Sequence, residues 1–132
     1  MTLKDNLYTI VGKTEQENGF SYQIRLNPDC DIYKAHFPNQ PITPGVCILQ
    51  LVHELFADAV GKTLVLDCIK NAKFLSVLKP EGQTVCVTLS NIKEVCVASP
   101  KITTDQNSLS AQSVVADLNG TIYAKISIFL RQ

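Results

Sequence analysis

The run His36-Phe37-Pro38-Asn39-Gln40-Pro41-Ile42-Thr43-Pro44-Gly45-Val46-Cys47-Ile48-Leu49-Gln50-Leu51-Val52-His53-Glu54 sets a histidine, three prolines and a long apolar segment in direct succession. Proline fixes φ and narrows the path of the chain, so residues 36–44 read as a stiff loop leading into a helix. Thr43 is expected to cap that helix, and Pro44 to occupy its first position, where a missing N–H costs nothing. The helix is expected to span 45–60, the main helix of the chain. Ile48, Leu51, Val52, Leu55, Phe56 and Ala59 cover about half its circumference, and Val46, Leu49 and Val60 widen the arc. A helix so apolar must be wrapped by other elements. Its polar residues form a narrow stripe, Cys47, Gln50, Glu54 and Asp58, at steps of three or four.

Outside this region the pattern has the period of strands. Residues 7–11 and 20–26 form a hairpin, with Asn18-Gly19 as the expected source of positive φ angles. Residues 27–44 read as loop. After Gly61, strands are expected within 64–78, interrupted near Lys70-Asn71, then at 83–90 and 92–98. A closing hairpin joins 109–117 to 121–130 across Asn119-Gly120. The fold class is α+β: a mostly antiparallel sheet with one main helix, in a single domain over residues 1–132.

Composition excludes several classes. Twelve basic and twelve acidic residues cancel, which gives no support for general nucleic-acid binding. No run of about eighteen apolar residues suggests a membrane span. The N-terminus, MTLKDNLYTIVGKTEQ, lacks the apolar core of a signal peptide. Five cysteines, at 30, 47, 68, 86 and 96, show neither a CxxC pair nor zinc-ligand spacing. Buried, reduced thiols in a cytoplasmic protein are the expectation.

Chemistry concentrates at the helix start. Gly45 and Val46 place free amides at the positive end of the helix dipole, and Gly45 has no side chain to obstruct them. A carbonyl oxygen set there would be polarised. The proline-restricted loop lowers the entropic cost of holding His36 nearby, and histidine suits proton abstraction near neutral pH. His53 reads as a helix-edge residue. A thiolate at Cys47, in the first helical turn, is an alternative nucleophile.

The pattern H-F-P-x-x-P-x-x-P-G-V resembles the signature of the β-hydroxyacyl-(acyl carrier protein) dehydratases, and AKFLSVLKPEGQTVCVTL (72–89) resembles their later strands. That resemblance implies a hotdog fold, with a curved antiparallel sheet wrapped around one central helix. It also implies a homodimer or an assembly of dimers, no metal or redox cofactor, and a substrate carried as an acyl carrier protein thioester. It implies that His36 removes the proton next to the thioester carbonyl and that Gly45 donates its N–H to that carbonyl. Phe37, Pro38 and Val46 then fall on the substrate side, and a helix carboxylate from the partner subunit protonates the departing hydroxyl.

This chain departs from the signature at three places. Asn39 replaces a glycine, Thr43 replaces a frequent methionine, and Gln50 stands where the carboxylate belongs. Glu54, one turn later, is the expected general acid, with Gln50 positioning the hydroxyl or a water. The alternatives are a non-catalytic acyl-thioester-binding subunit and a hotdog acyl thioesterase. Lys70, Lys73 and Lys79 are candidates for docking an acidic carrier.

Overall fold

The computed structural model describes residues 2–35, 39–96 and 107–131. The elements run β1 (Tyr8–Gln16), β2 (Gly19–Leu26), α1 (Asp31–Ala35), α2 (Gly45–Val60), β3 (Val65–Phe74), β4 (Thr84–Cys96), β5 (Asn107–Asp117) and β6 (Ile122–Arg131). All six strands join one antiparallel sheet in the order β1-β2-β4-β5-β6-β3. The sheet curves around α2, as the apolar arc of that helix requires. Ile48, Leu51, Val52, Leu55 and Phe56 are buried against the inward rows Val85, Val87 and Leu89 of β4 and Ala124, Ile126, Ile128 and Leu130 of β6. Fully burying one such side chain contributes about 1.5–3 kcal/mol. Val46 lies outside this core, 73% exposed.

Strand boundaries differ from the sequence expectation where the sheet bends. The interruption near Lys70 is a register shift between Ile69 and Asn71, and β3 continues through it. The two strands expected at 83–90 and 92–98 form one strand, β4, with a bulge between Ser90 and Lys93 and a left-handed Asn91 (φ 53). An extra residue in one strand breaks alternation without ending pairing, which is why the pattern looked like a boundary.

The first hairpin turns at Glu17-Asn18, with Gln16 opposite Gly19, and neither Asn18 nor Gly19 has a positive φ. Gly19 is required for another reason: a Cβ there would overlap the backbone carbonyl oxygen of Leu89 on β4. In the closing hairpin Gly120 does take a positive φ of 93, and the Asp117 carboxylate accepts from the amides of Asn119 and Thr121, both at 2.9 Å. Helix α1 arises inside the segment expected to be loop, where Tyr33 is buried. Helix α2 ends at Gly61, whose left-handed conformation (φ 74) lets its N–H bond Ala57 O at 2.9 Å.

Cys30, Cys47, Cys68 and Cys86 are free thiols, but their burial is mixed: Cys47 is buried, Cys30 and Cys86 are half-buried and Cys68 is exposed. Among the described residues no helix is long and apolar enough to cross a membrane.

Replacing Gly19 by Ala is expected to cost about 1–3 kcal/mol, because the new methyl group must displace backbone. Asn18→Gly, at a turn position with ordinary φ, should leave stability within about 0.5 kcal/mol. Urea unfolding of both variants checks the pair.

Candidate active site

Helix α2 begins after Pro44, whose carbonyl accepts from Cys47 N (3.0 Å) and Ile48 N (3.1 Å). Pro44 is therefore the N-cap and not the first helical residue. Thr43 does not cap the helix. Its hydroxyl is buried against Tyr33 Oη at 2.8 Å, and its amide donates to Leu78 O at 2.8 Å. Burial pushes the Tyr33 phenol up to about 12, partly offset by that hydrogen bond. The consequence is an open helix start: no side chain bonds the first amides, and no acceptor among the described residues takes those of Gly45 or Val46.

Gly45 lies under the ring of Phe74 at the end of β3. A Cβ on Gly45 would meet Phe74 Cζ at 3.1 Å, so the glycine lets the strand end close on the helix start. Phe74 is still 48% exposed, and Val46, Leu75 and Val77 nearby are also exposed. The open amides thus sit beside an uncovered apolar patch. Asn39 lies in a turn without a positive φ, so its tolerance of left-handed backbone is not used here. His36, Phe37 and Pro38 lie outside the described residues.

The polar stripe of α2 faces the N-terminal strands. Tyr22 Oη donates to Asp58 Oδ2 at 2.6 Å, and Lys13 Nζ stands 3.5 Å from the same oxygen. The bond from Tyr22 is the main reason that the Asp58 carboxyl is held below the usual range, with Lys13 adding to it. Burial and the bond to Asp58 together push the Tyr22 phenol up. One turn earlier, the Glu54 carboxylate receives four donors. These are Leu3 N at 2.8 Å, Lys4 N at 2.9 Å, Tyr8 Oη at 3.1 Å and Gln50 Nε2 at 2.9 Å.

Glu54 and Gln50 are therefore joined, as their spacing allows, and Glu54 also anchors the turn before β1. That anchoring was not foreseen. The signal for it was a tyrosine on an inward row, as at Tyr22, whose buried ring needs an acceptor for its hydroxyl. His53 Nε2 bonds Leu64 O and ties the helix to the approach of β3. Burial pushes the Cys47 thiol up, which disfavours the thiolate that a nucleophilic role needs. No cluster of three or more His, Cys, Asp or Glu suited to a metal occurs among the described residues.

Residues 12–113 match the family model of the ApeI-like proteins, described as ApeI dehydratase, and the chain belongs to that family. Among curated relatives, the 3-hydroxyacyl-[acyl-carrier-protein] dehydratase FabZ of Latilactobacillus sakei is 35% identical over 72 residues, 48% of this chain and 51% of that protein. The enzyme of the same name from Lactiplantibacillus plantarum is 30% identical over 95 residues, 64% of this chain and 56% of the other. The chain spans about half the length of the curated relatives it matches.

Among solved structures, the dehydratase heterocomplex ApeI:P from Xenorhabdus doucetiae superposes with a TM-score of 0.64 at 18% identity, covering 94% of this chain and 97% of that one. The PaaI protein of the E. coli phenylacetic acid degradation operon does so with a TM-score of 0.62 at 11% identity, covering 98% and 86%. These likenesses establish the hotdog fold.

Because the folded Asp58 carboxyl is held below its unfolded value, its contribution to stability is complete above the unfolded pKa, about 4. It is lost as pH falls through the folded one. Tyr22→Phe removes the main cause. Its stability is expected to be lower at neutral pH and to decline less steeply between about pH 4 and 2, which denaturant unfolding across that range would measure.

Proposed function

We propose that this protein eliminates water from 3-hydroxyacyl thioesters carried on acyl carrier protein, giving trans-2-enoyl thioesters. The observation that carries this reading is the open start of α2, where the Gly45 and Val46 amides meet no acceptor among the described residues, directly after the His36 segment of the sequence. Membership of a dehydratase family and the shared name of the curated relatives support it.

In this reading the thioester oxygen accepts from Gly45 N–H, which stabilises the negative charge that develops as the carbon beside the carbonyl loses its proton. His36 takes that proton. The electron pair left on carbon forms the new double bond to C3, the C3–O bond breaks, and the hydroxyl departs with a proton as water. Phe37, Pro38 and Val46 flank the acyl chain.

The bonding of Glu54 shapes the rest of the assignment. Both its oxygens are engaged by N–H donors, Leu3 and Gln50 on one and Lys4 on the other, which commits the side chain to the scaffold. We accordingly assign Glu54 to orienting Gln50 and anchoring the N-terminal turn, in place of the acid role that spacing suggested. Gln50 holds the departing hydroxyl, and the His36 imidazolium returns the proton it took. The reaction needs no cofactor.

A partner copy belongs to this reading. Among the described residues strand β3 pairs only with β6 and forms one edge of the sheet. Ile69 and Phe74 stand opposite the inward residues Ile128 and Ala124, yet are 42% and 48% exposed. A second copy that pairs along β3 would cover them and satisfy the edge backbone. A soluble cytoplasmic homodimer follows as the proposed state. The second reading, a non-catalytic acyl-binding subunit, is favoured by Gln50 alone.

Hydration of a trans-2-enoyl thioester by the purified protein is the test. His36→Ala is expected to lower kcat by about 10²–10⁴. Gln50→Ala should lower kcat with little change in unfolding. Glu54→Gln should lower stability by about 1–3 kcal/mol, because a carboxamide cannot accept from all four donors. If Glu54→Gln instead abolishes turnover with stability unchanged, Glu54 is the acid. Wild-type protein that binds the thioester without turnover would establish the binding subunit, and release of free acid would establish a thioesterase. Light scattering after gel filtration should give twice the chain mass of 14.5 kDa.

A further inference from the structure

Glu54 decides which end of the Gln50 amide is left for a ligand. An ionised carboxylate offers acceptors only. Glu54 Oε2 accepts from Leu3 N at 2.8 Å and Gln50 Nε2 at 2.9 Å, while Oε1 accepts from Lys4 N at 2.9 Å and Tyr8 Oη at 3.1 Å. Facing such an oxygen, Gln50 has to present its NH2 group. The reversed amide would set its carbonyl oxygen against a carboxylate oxygen, acceptor against acceptor, between two half-buried side chains. A glutamine without such a neighbour can turn over and serve as donor or acceptor, and this one is held in a single orientation.

The Gln50 carbonyl oxygen is therefore left over, and no donor among the described residues takes it. Gln50 lies one helical turn beyond Val46, which is 73% exposed, so its amide adjoins the uncovered end of the helix. The Gly45 and Val46 amides there meet no acceptor among the described residues. The start of α2 thus offers donors, and its next turn offers an oriented acceptor.

We propose that Gln50, held by Glu54 with its carbonyl oxygen left for the ligand, selects a hydroxyl over a keto group on the third carbon of the acyl chain. The inference rests on the function proposed above and names the determinant of its substrate class. A 3-hydroxyl donates to Gln50 Oε1 and keeps its lone pairs for the proton that turns it into water. A 3-oxo group has no hydrogen to donate, so it leaves Oε1 unpaired or sets two acceptors face to face. The second N–H of Gln50 meets either oxygen equally and does not discriminate. Leu3, Lys4 and Tyr8 act on the selection only through Glu54, as positioning groups.

Two amides of N-acetylethylenediamine, 3-hydroxyoctanoyl and 3-oxooctanoyl, are the probes, titrated calorimetrically. Nitrogen in place of the thioester sulfur leaves the C–H beside the carbonyl of the hydroxy compound too weakly acidic for elimination, so binding is read without turnover. The wild type should bind the hydroxy compound about tenfold more tightly than the keto compound. In Gln50→Leu the two affinities should lie within about twofold of each other. Glu54→Gln should lose the preference as well, because a carboxamide can donate and lets the Gln50 amide turn over. Tyr8→Phe removes a donor from the same carboxylate but leaves its acceptors in place. It should lower stability in urea and keep the full preference.

Equal affinities in the wild type overturn the proposal and leave the dehydratase reading to the hydration assay. A preference that survives Gln50→Leu also overturns it, as does one that falls as far in Tyr8→Phe as in Glu54→Gln. If Glu54→Gln does not fold, Gln50→Leu decides alone. Binding of neither compound by the wild type overturns the proposal too. If the wild type shows the preference but hydrates no enoyl thioester, the dehydratase reading fails and the selection stands as that of a binding subunit.

Discussion

The fold is organised by the enclosure of helix α2. Its apolar arc is too wide for one flat contact surface, so the sheet has to bend until several strands face the helix together. The register irregularities in β1, β3 and β4 accompany that bending, because an extra residue raises local twist without ending the ladder. The remaining polar strip meets the N-terminal strands, and its carboxylates find partners there, although Asp58 itself stays exposed. Tyr8 and Tyr22 supply hydroxyls to Glu54 and Asp58, and the amides of Leu3 and Lys4 complete the shell around Glu54. The N-terminal strands are thus fixed to the helix by hydrogen bonds as well as by apolar contact.

That arrangement bears directly on chemistry. Spacing alone makes Glu54 the nearest carboxylate able to stand in for an acid at position 50. Its four donors tie it to the scaffold, and the proposed reading accordingly sets the reactive end of the site at the helix start. There the sequence Thr43-Pro44-Gly45 works differently from its usual reading. Thr43 is held by Tyr33 and leaves the first amides uncapped, which keeps them available to a carbonyl. A missing cap is costly to a helix, and here it coincides with the place where a ligand oxygen would replace it.

Much of the fold was legible from residue order. The helix boundaries at Gly45 and Val60, the inward rows of β4 and β6, and the closing turn at Gly120 follow from periodicity and glycine placement, which act over a few residues. Helix α1 was not legible, since five residues carry too little periodicity. Neither was the reason for Gly19, which answers to a carbonyl seventy residues away in the chain. The first hairpin shows the same limit: an Asn-Gly pair suggests positive φ, but the contact with β4 decides its conformation.

The sequence by itself determined the class of fold, the family signature around His36 and Gly45, and the identity of every group available for chemistry. Only the tertiary structure decided which of those groups are free. Glu54 and Thr43 are occupied by partners from other elements, and the amides at 45 and 46 meet no acceptor among the described residues. Hydrogen bonds and cross-strand pairs form between segments brought together by collapse around α2, so their occupancy is a property of the assembled chain and not of local order.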